Sequence, residues 1–420
     1  MISIRWFRED FEDLLEKYKG CNVEESTLLE IKSLDKEVLE IKGNLDQLRA
    51  QKNQLSKEYG QSRKEGGSPD PSGSNLKDQI AALEREYEEK KSRFDQLICS
   101  IPAIPDPDVP DQDTVVKEWG VIDQTRSYKP YIELVSDLKL IDFKEAVSVS
   151  GSGHSVYVNK GEKLFRSLIS FTLDWAESNG FQRRYLPVLV NEDSLFCTSQ
   201  LSKFSENLFR LGNSHSPRYL SPTAEVQLVN LYRKQIIPKD QLPIKLCANT
   251  NCFRNEKIGA GSESRGIIRQ YQFCKTEIIM MTLPEESEKT QEYMSTVIEG
   301  LLQALQIPYR KLLLSKTEMS FASSKTYDFE AWMPGEGKYR EISSLSNTRD
   351  FQSLRGKIRY KADKLNASEK SEYVHILNGS CLAIDRLFAV LLENHQTPEG
   401  EVKIPECLVR YFGEEKIVKP

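Results

Sequence analysis

The chain has 420 residues, with 58 Lys+Arg against 63 Asp+Glu and a formal net charge of −5. It contains no run of roughly 18 apolar residues, so a membrane span is excluded. Glu9, Asp10, Glu12, Asp13 and Glu16 are out of keeping with a signal or transit peptide. Eight Cys without a C-x-x-C pair and four scattered His give no zinc or disulfide pattern; reduced thiols and a cytoplasmic setting with no membrane partner are expected.

A mildly acidic balance means that any nucleic acid must be met by local patches or by shape. Only 39% of residues are apolar, about 40% once Gly replaces Tyr in the set, against ~45–50% for compact chains. Part of this chain therefore lies away from a globular core.

In chain order, residues 28–101 come first. Ile31, Leu34, Val38, Ile41, Leu45, Leu48 and Leu55 follow alternating steps of three and four, with Lys52 the polar exception. Leu76, Ile80, Leu83, Tyr87, Phe94, Leu97 and Ile101 do the same, with Lys90 the exception. That is a heptad seam on two helices. The Gly-, Pro- and Ser-rich stretch Gly60–Ser74 is expected to be a loop, so the helices must run antiparallel. A hairpin of roughly 30 residues per helix would be about 45 Å long. Basic and acidic residues are almost equal in number along it, so it is no polybasic binder. Periodicity alone fits a dimerisation or scaffold coiled coil as well as a nucleic-acid arm.

Four prolines in Ser100–Pro110 mark a boundary. Beyond it, Leu164–Glu177 reads as a helix, and Tyr185–Val190, Cys274–Met281 and Thr326–Trp332 read as strands without a regular βαβ rhythm. An α+β domain on an antiparallel sheet is expected. Thr250–Glu256, then a loop with Gly259, Gly261, Arg265, Gly266 and Arg269, then Gln272–Glu277 read as strand, basic loop, strand. Arg254 and Glu256, two apart on a strand, would share a face. A guanidinium beside a carboxylate suits a triphosphate and an amine, or a mere cross-strand ion pair.

Phe253-Arg-Asn-Glu256 with its loop resembles the second signature of class II aminoacyl-tRNA synthetases. Leu377–Arg386 resembles the third signature, and Tyr185-Leu-Pro187 the first, whose proline lies at the dimer interface in that class. Ser221–Arg233, Arg340–Asn347, Leu377–Ser380, the heptad hairpin ending in Ser-Ile-Pro-x-Ile-Pro, and Ile4–Arg8 resemble the seryl-tRNA synthetase family. The resemblance spans essentially the whole chain, in order.

It implies residues 1–105 as a tRNA-binding domain with the arm at about 28–101, and 106–420 as the class II catalytic domain. It implies serine binding by Thr223, Ala224, Glu225 and Glu277, with Asn378 and Ser380 forming the hydroxyl cup. A cup that hydrogen-bonds a hydroxyl rejects alanine by leaving polar groups unpaired. For ATP it implies Arg254 on the α-phosphate, Glu256 on the adenine amino group, Phe273 stacked on adenine and Arg386 on the γ-phosphate. Asn255, Gln270, Ile342 and Ser343 fall beside them. Glu341 and Ser344 match the Mg²⁺ positions, whose oxygen donors suit that ion; no zinc is expected. Arg254 and Arg386 are the catalytic residues, and Arg265 and Arg269 are placed for phosphates or the tRNA acceptor end.

The implied activity is an ATP-dependent, AMP-forming ligation of serine to tRNA(Ser) by a homodimer, with tRNA(Sec) left open as a second substrate. The arm would read the shape of the long variable arm. The alternatives are a synthetase-like paralogue that binds RNA or a partner without charging, and a ligase that passes activated serine to a carrier protein. Departures occur where the family has Gly-Thr-Gly-Gln-x-Pro-Lys-Phe and this chain has Cys197-Thr-Ser-Gln-Leu-Ser-Lys-Phe204, and at Ser221, Asn255 and Cys381. None removes a charge that the chemistry needs.

Overall fold

The computed structural model describes residues 1–62, 72–123, 125–201, 205–212, 217–255, 266–362 and 368–420. The chain forms two compact units, Met1–Pro102 and Ala103–Pro420.

The first unit is helical. Two short helices, Arg5–Arg8 and Phe11–Lys17, precede long helices Glu25–Ser62 and Ser72–Ser100. The long pair encloses Ile41, Leu45 and Ile80, with Leu48, Leu76, Leu83 and Tyr87 packed against them. Cross-helix ion pairs Arg93–Glu30 (2.9 Å), Lys90–Glu37 and Arg49–Glu84 (2.8 Å) run in opposite sequence directions, as an antiparallel pair requires. The first helix has 38 residues, about 57 Å, and is longer than the expected arm. Two details depart from the heptad reading. The expected loop begins later and ends sooner, because Gly60–Ser62 and Ser72–Ser74 are helical; residues 63–71 lie outside the described residues. A glycine near a helix end costs only about 1 kcal/mol, which the preceding turns absorb. In the seam, Ile98 is buried while Leu55 is exposed. Toward the base, Phe7, Leu14, Leu28, Ile31 and Ile101 are also buried, and Arg8 grips Asp35 through two bonds of 2.7 Å.

The second unit is built on an eight-stranded sheet. Its strands are β1 (Thr114–Trp119), β2 (Gln182–Arg183), β3 (Ile244–Phe253), β4 (Gln272–Thr282), β5 (Tyr309–Leu313), β6 (Lys325–Met333), β7 (Lys338–Asn347) and β8 (His375–Ala383). The order is β1-β5-β6-β7-β8-β4-β3-β2, antiparallel except for the β2–β3 edge pair. Helices Asn159–Ser178, Ser287–Ala304 and Ile384–His395 send Leu164, Leu168, Met294, Ile298, Leu387 and Leu391 into one core with Ile278, Met280, Leu345 and Leu377 of the sheet. Because side chains alternate, Phe273, Lys275 and Glu277, Ser344 and Ser346, and Asn378 and Ser380 belong to the other face.

The Tyr185–Val190 strand is corrected: the chain pairs at Gln182–Arg183, leaves the sheet, and pairs again only at Leu189–Asn191. Pro187 has no N–H for a ladder, and Tyr185 is left fully exposed. The 164–177 helix is longer than expected, Asn159–Ser178, while Cys274–Met281 and Thr326–Trp332 lie inside β4 and β6.

Candidate functional site

β4 and β8 set the centre of the site. Glu277 faces Ser380 across the ladder, and Lys275 faces Ala383, so β8 carries one residue more than β4 at this point. The extra residue is accommodated by a bulge in which Leu382 takes φ 86°. Beside it, β7 supplies Ser344 and Ser346. Above the sheet, Thr223 caps the Ala224–Asn230 helix and places Glu225 in its first turn.

Two adjoining hollows open on this face. Thr223, Glu225, Glu277, Asn378 and Ser380 line the first, together with Arg254, Lys275, Ser344 and Ser346. Gln270, Phe273, Glu341, Ile342, Ser343 and Arg386 line the second. Arg254, Lys275, Ser344 and Ser380 border both, so the hollows form one continuous trough.

At the acidic end, Thr223 donates its hydroxyl to Glu277 Oε2 at 2.9 Å, and Lys275 is paired with the same carboxylate. Glu225 Oε1 accepts from Gln352 Nε2 at 2.6 Å and Asn378 Nδ2 at 3.1 Å. Burial, and then the neighbouring Glu277 charge, push the Glu225 carboxyl up to about 7. At the basic end, Arg254 lies with its guanidinium carbon 5.1 Å from the Phe273 ring centroid. Arg386 donates to the Glu341 backbone carbonyl at 2.8 Å and to Glu341 Oε2 at 3.2 Å. Asp385 is fully enclosed; it accepts from the Cys274 backbone N–H at 2.7 Å, Gln270 Nε2 at 2.9 Å and the Tyr157 hydroxyl at 2.7 Å, which fixes the wall behind Phe273. Burial holds its carboxyl above the ordinary range.

The trough therefore joins an acidic, hydroxyl-bearing end to a cationic, aromatic end. A small zwitterion fits the first and a polyphosphate with a planar base fits the second.

Most residues singled out by sequence meet here; Ala224 and Asn255 lie outside the lining, Ser343 lies within it, and the strand placement of Arg254 is corrected. Ala224 belongs to a hydrophobic cluster with Leu228, Ala248 and Ile279 and not to the trough wall. Asn255 is exposed outside the lining, its N–H bonded to the Asn207 carbonyl at 2.8 Å. Ser343 borders the trough, but its hydroxyl is spent on the Ser380 carbonyl at 2.6 Å. Arg254 follows the last residue of β3, so the shared-strand argument does not place it. Its position comes from the Arg254 N–H bonding the Tyr271 carbonyl at 2.9 Å. Glu256 and Arg265 lie outside the described residues, as do 202–204 of the variant loop; Arg269 is exposed at the rim of the second hollow.

Three contributors escaped the sequence reading. Lys275 could have been found by continuing the alternation Phe273–Lys275–Glu277. Gln352 and Asp328 had no local signal. Asp328 pairs with Ser344 in the β6–β7 register, and its Oδ1 is buried without a hydrogen-bond partner among the described residues. Burial and the charge of Glu341 push that carboxyl up to about 7.

An antiparallel sheet carrying this trough on one face is the core of a class II synthetase. Residues 209–395 match the model of the tRNA synthetase class II core domain (G, H, P, S and T), and residues 1–105 match that of the seryl-tRNA synthetase N-terminal domain. The chain belongs to the seryl-tRNA synthetase family. It is 41% identical to a serine–tRNA ligase of Malacoplasma penetrans over the full length of both chains, and 41% identical to that of Nautilia profundicola over 98% of this chain and 100% of the other. Among solved structures it is similar to seryl-tRNA synthetase of Pyrococcus horikoshii complexed with ATP, with TM-score 0.90 and 30% identity over both whole chains. It is also similar to the Naegleria fowleri cytoplasmic enzyme in complex with AMP, with TM-score 0.87 and 26% identity over 99% and 98% of the two chains. Among the described residues no helix is long and apolar enough to cross a membrane, and no group of three or more His, Cys, Asp or Glu is placed to hold a metal ion.

Proposed function

We propose that this chain activates L-serine with ATP to seryl-adenylate and transfers the seryl group to the 3′ end of tRNA(Ser) in the cytoplasm. The observation that carries the reading is the trough: carboxylates Glu225 and Glu277 at one end and guanidinium groups Arg254 and Arg386 along the other, continuous through Lys275 and Ser380. Serine would place its ammonium against the carboxylates and its hydroxyl toward Ser380. ATP would stack on Phe273, with Arg254 on the α-phosphate and Arg386 on the γ-phosphate.

No protein nucleophile is required. The serine carboxylate attacks the α-phosphorus in line, pyrophosphate leaves, and Arg254 meets the charge that grows in the transition state. The terminal ribose hydroxyl of tRNA then attacks the activated carbonyl, with AMP as leaving group. Mg²⁺ fits the donor chemistry here: Glu341 and Ser344 offer hard oxygens, and Asp328 Oδ1, without a partner among the described residues, is a further oxygen whose charged form a cation would favour. Bound there, the ion would neutralise phosphate charge, with substrate phosphates and water completing its coordination.

Residues 1–105 are assigned as the tRNA-binding domain, its arm at about 28–101 meeting the variable arm of tRNA, and 106–420 as the catalytic domain. The exposed Tyr185 segment is assigned to the homodimer interface. Serine-dependent ATP–pyrophosphate exchange, followed by charging of tRNA(Ser), tests the reading. Exchange that does not depend on serine would overturn it, and exchange without charging would leave the paralogue or carrier-protein ligase.

A further inference from the structure

The two carboxylates of the acidic end are held differently. Glu277 already has a cation, Lys275, and the Thr223 hydroxyl. Glu225 has no cationic partner among the described residues; only neutral amide donors reach it, Gln352 at 2.6 Å and Asn378 at 3.1 Å. Of the two acids, Glu225 is thus the one whose charge is left for an incoming ammonium.

Gln352 comes from the Phe351–Gly356 helix, 127 positions away in sequence, and does not line the trough. It is completely buried, its amide oxygen has no partner among the described residues, and its backbone carbonyl accepts from the Cys197 thiol at 3.9 Å. An amide oriented with its nitrogen toward the carboxylate and its oxygen unpaired is explained by the carboxylate: turned over, its oxygen would oppose Glu225 Oε1.

We propose that Gln352 is a positioning residue that, through its amide N–H, holds Glu225 as the anionic acceptor for the amino group of the bound amino acid. This rests on the serine-activating reading above. Gln352 touches no substrate; it acts by fixing where Glu225 Oε1 points and by stabilising its charged form. The other groups facing Glu225 are Glu277 and Lys275 from β4, Arg254 after β3, and the Cys197 thiol, which burial pushes up to about 12 and so keeps neutral.

The sign of the pH effect follows. An ammonium needs Glu225 charged, so serine affinity falls as pH drops through the carboxyl's range near 7. Removing a donor that favours the anion moves this fall to higher pH.

The experiment uses the full chain and Gln352→Leu, with Gln352→Met as the unbranched replacement should the first fail to fold. Serine and ATP KM values are measured in pyrophosphate exchange between pH 6 and 8.5. The expected result is a serine KM raised about tenfold or more at pH 7. The low-pH limb should move upward while the ATP KM stays within twofold. A well-folded variant with a wild-type serine KM and pH limb overturns the inference, as does an equal loss for serine and ATP, which would mean a structural role. Failure of the underlying reading is separate, since the wild-type chain would then show no serine-dependent exchange at all.

Discussion

The helical unit and the sheet unit keep their order by different means. In Met1–Pro102 the long helices bury a narrow seam, with Leu48, Leu76, Leu83 and Tyr87 only partly covered. In Ala103–Pro420 the Leu345, Leu377 and Ile298 side chains are completely enclosed. Backbone strain divides in the same way. The described non-glycine residues with positive φ are Lys139, Asn159, Ser199, Lys234, Gln306, Arg349, Lys357 and Leu382, all in the sheet unit. A two-helix rod holds only shape, whereas a catalytic trough must turn side chains against local preference and needs a deep core to over-determine them.

The widest separation of the two regions would come from removing residues 28–98. Charging of tRNA(Ser) should become undetectable while serine-dependent pyrophosphate exchange continues, because among the described residues those that line the trough all belong to Ala103–Pro420. Loss of both activities together would make the arm a structural part of the enzyme and break the comparison.

Next in size, Arg254→Ala should lower exchange about 10²-fold or more, as loss of a donor aimed at transition-state charge does elsewhere. Circular dichroism should be unchanged, since Arg254 is only half-buried. Near-normal exchange would remove Arg254 from the chemistry.

How far each region could be read from sequence follows from the same division. The seam is a local signal: each helix carries its own period, and a narrow stripe leaves few alternatives. At its C-terminal end Ile101 is buried as expected and Leu97 partly so, while Ile98, which the seam left out, is buried as well. The trough has no local signal. Glu225 meets Asn378 across 153 positions and Gln352 across 127, and no periodicity links them. What made Arg254, Glu277, Glu341, Ser380 and Arg386 legible was their place in recognisable stretches. Gln352 supports the site from behind and carries no such mark. Ala224, from the same stretch as Thr223 and Glu225, packs behind the lining instead of in it, because a stretch can be characteristic for packing as well as for contact.

A pair of leucine truncations measures the depth of the two cores. Leu345→Ala, beneath the sheet, should cost about 3–5 kcal/mol in chemical denaturation, since the side chain is wholly enclosed and its surroundings are fixed by strands on either side. Leu45→Ala, in the seam, should cost about 2 kcal/mol, because two helices can close on the gap. Equal costs would show that the seam is as rigid as the sheet core.

The smallest effect concerns strain at the site itself. Ser199 stands where the family carries glycine and takes φ 70°; it is 3% exposed, and its hydroxyl has no partner among the described residues. The left-handed conformation costs a side-chain-bearing residue roughly 1–2 kcal/mol, and the unpaired hydroxyl adds about 1 kcal/mol or more. Against this, serine restricts the unfolded chain more than glycine by about 0.4–1 kcal/mol. Ser199→Gly should therefore stabilise the protein by about 1 kcal/mol, read as a higher midpoint in denaturant with an unchanged slope. A stabilised variant with unaltered serine KM would make the serine an incidental burden on the loop. Stabilisation at the expense of serine affinity would mean that the strain is part of how the acidic end is shaped, a cost that no described residue of the helical unit carries.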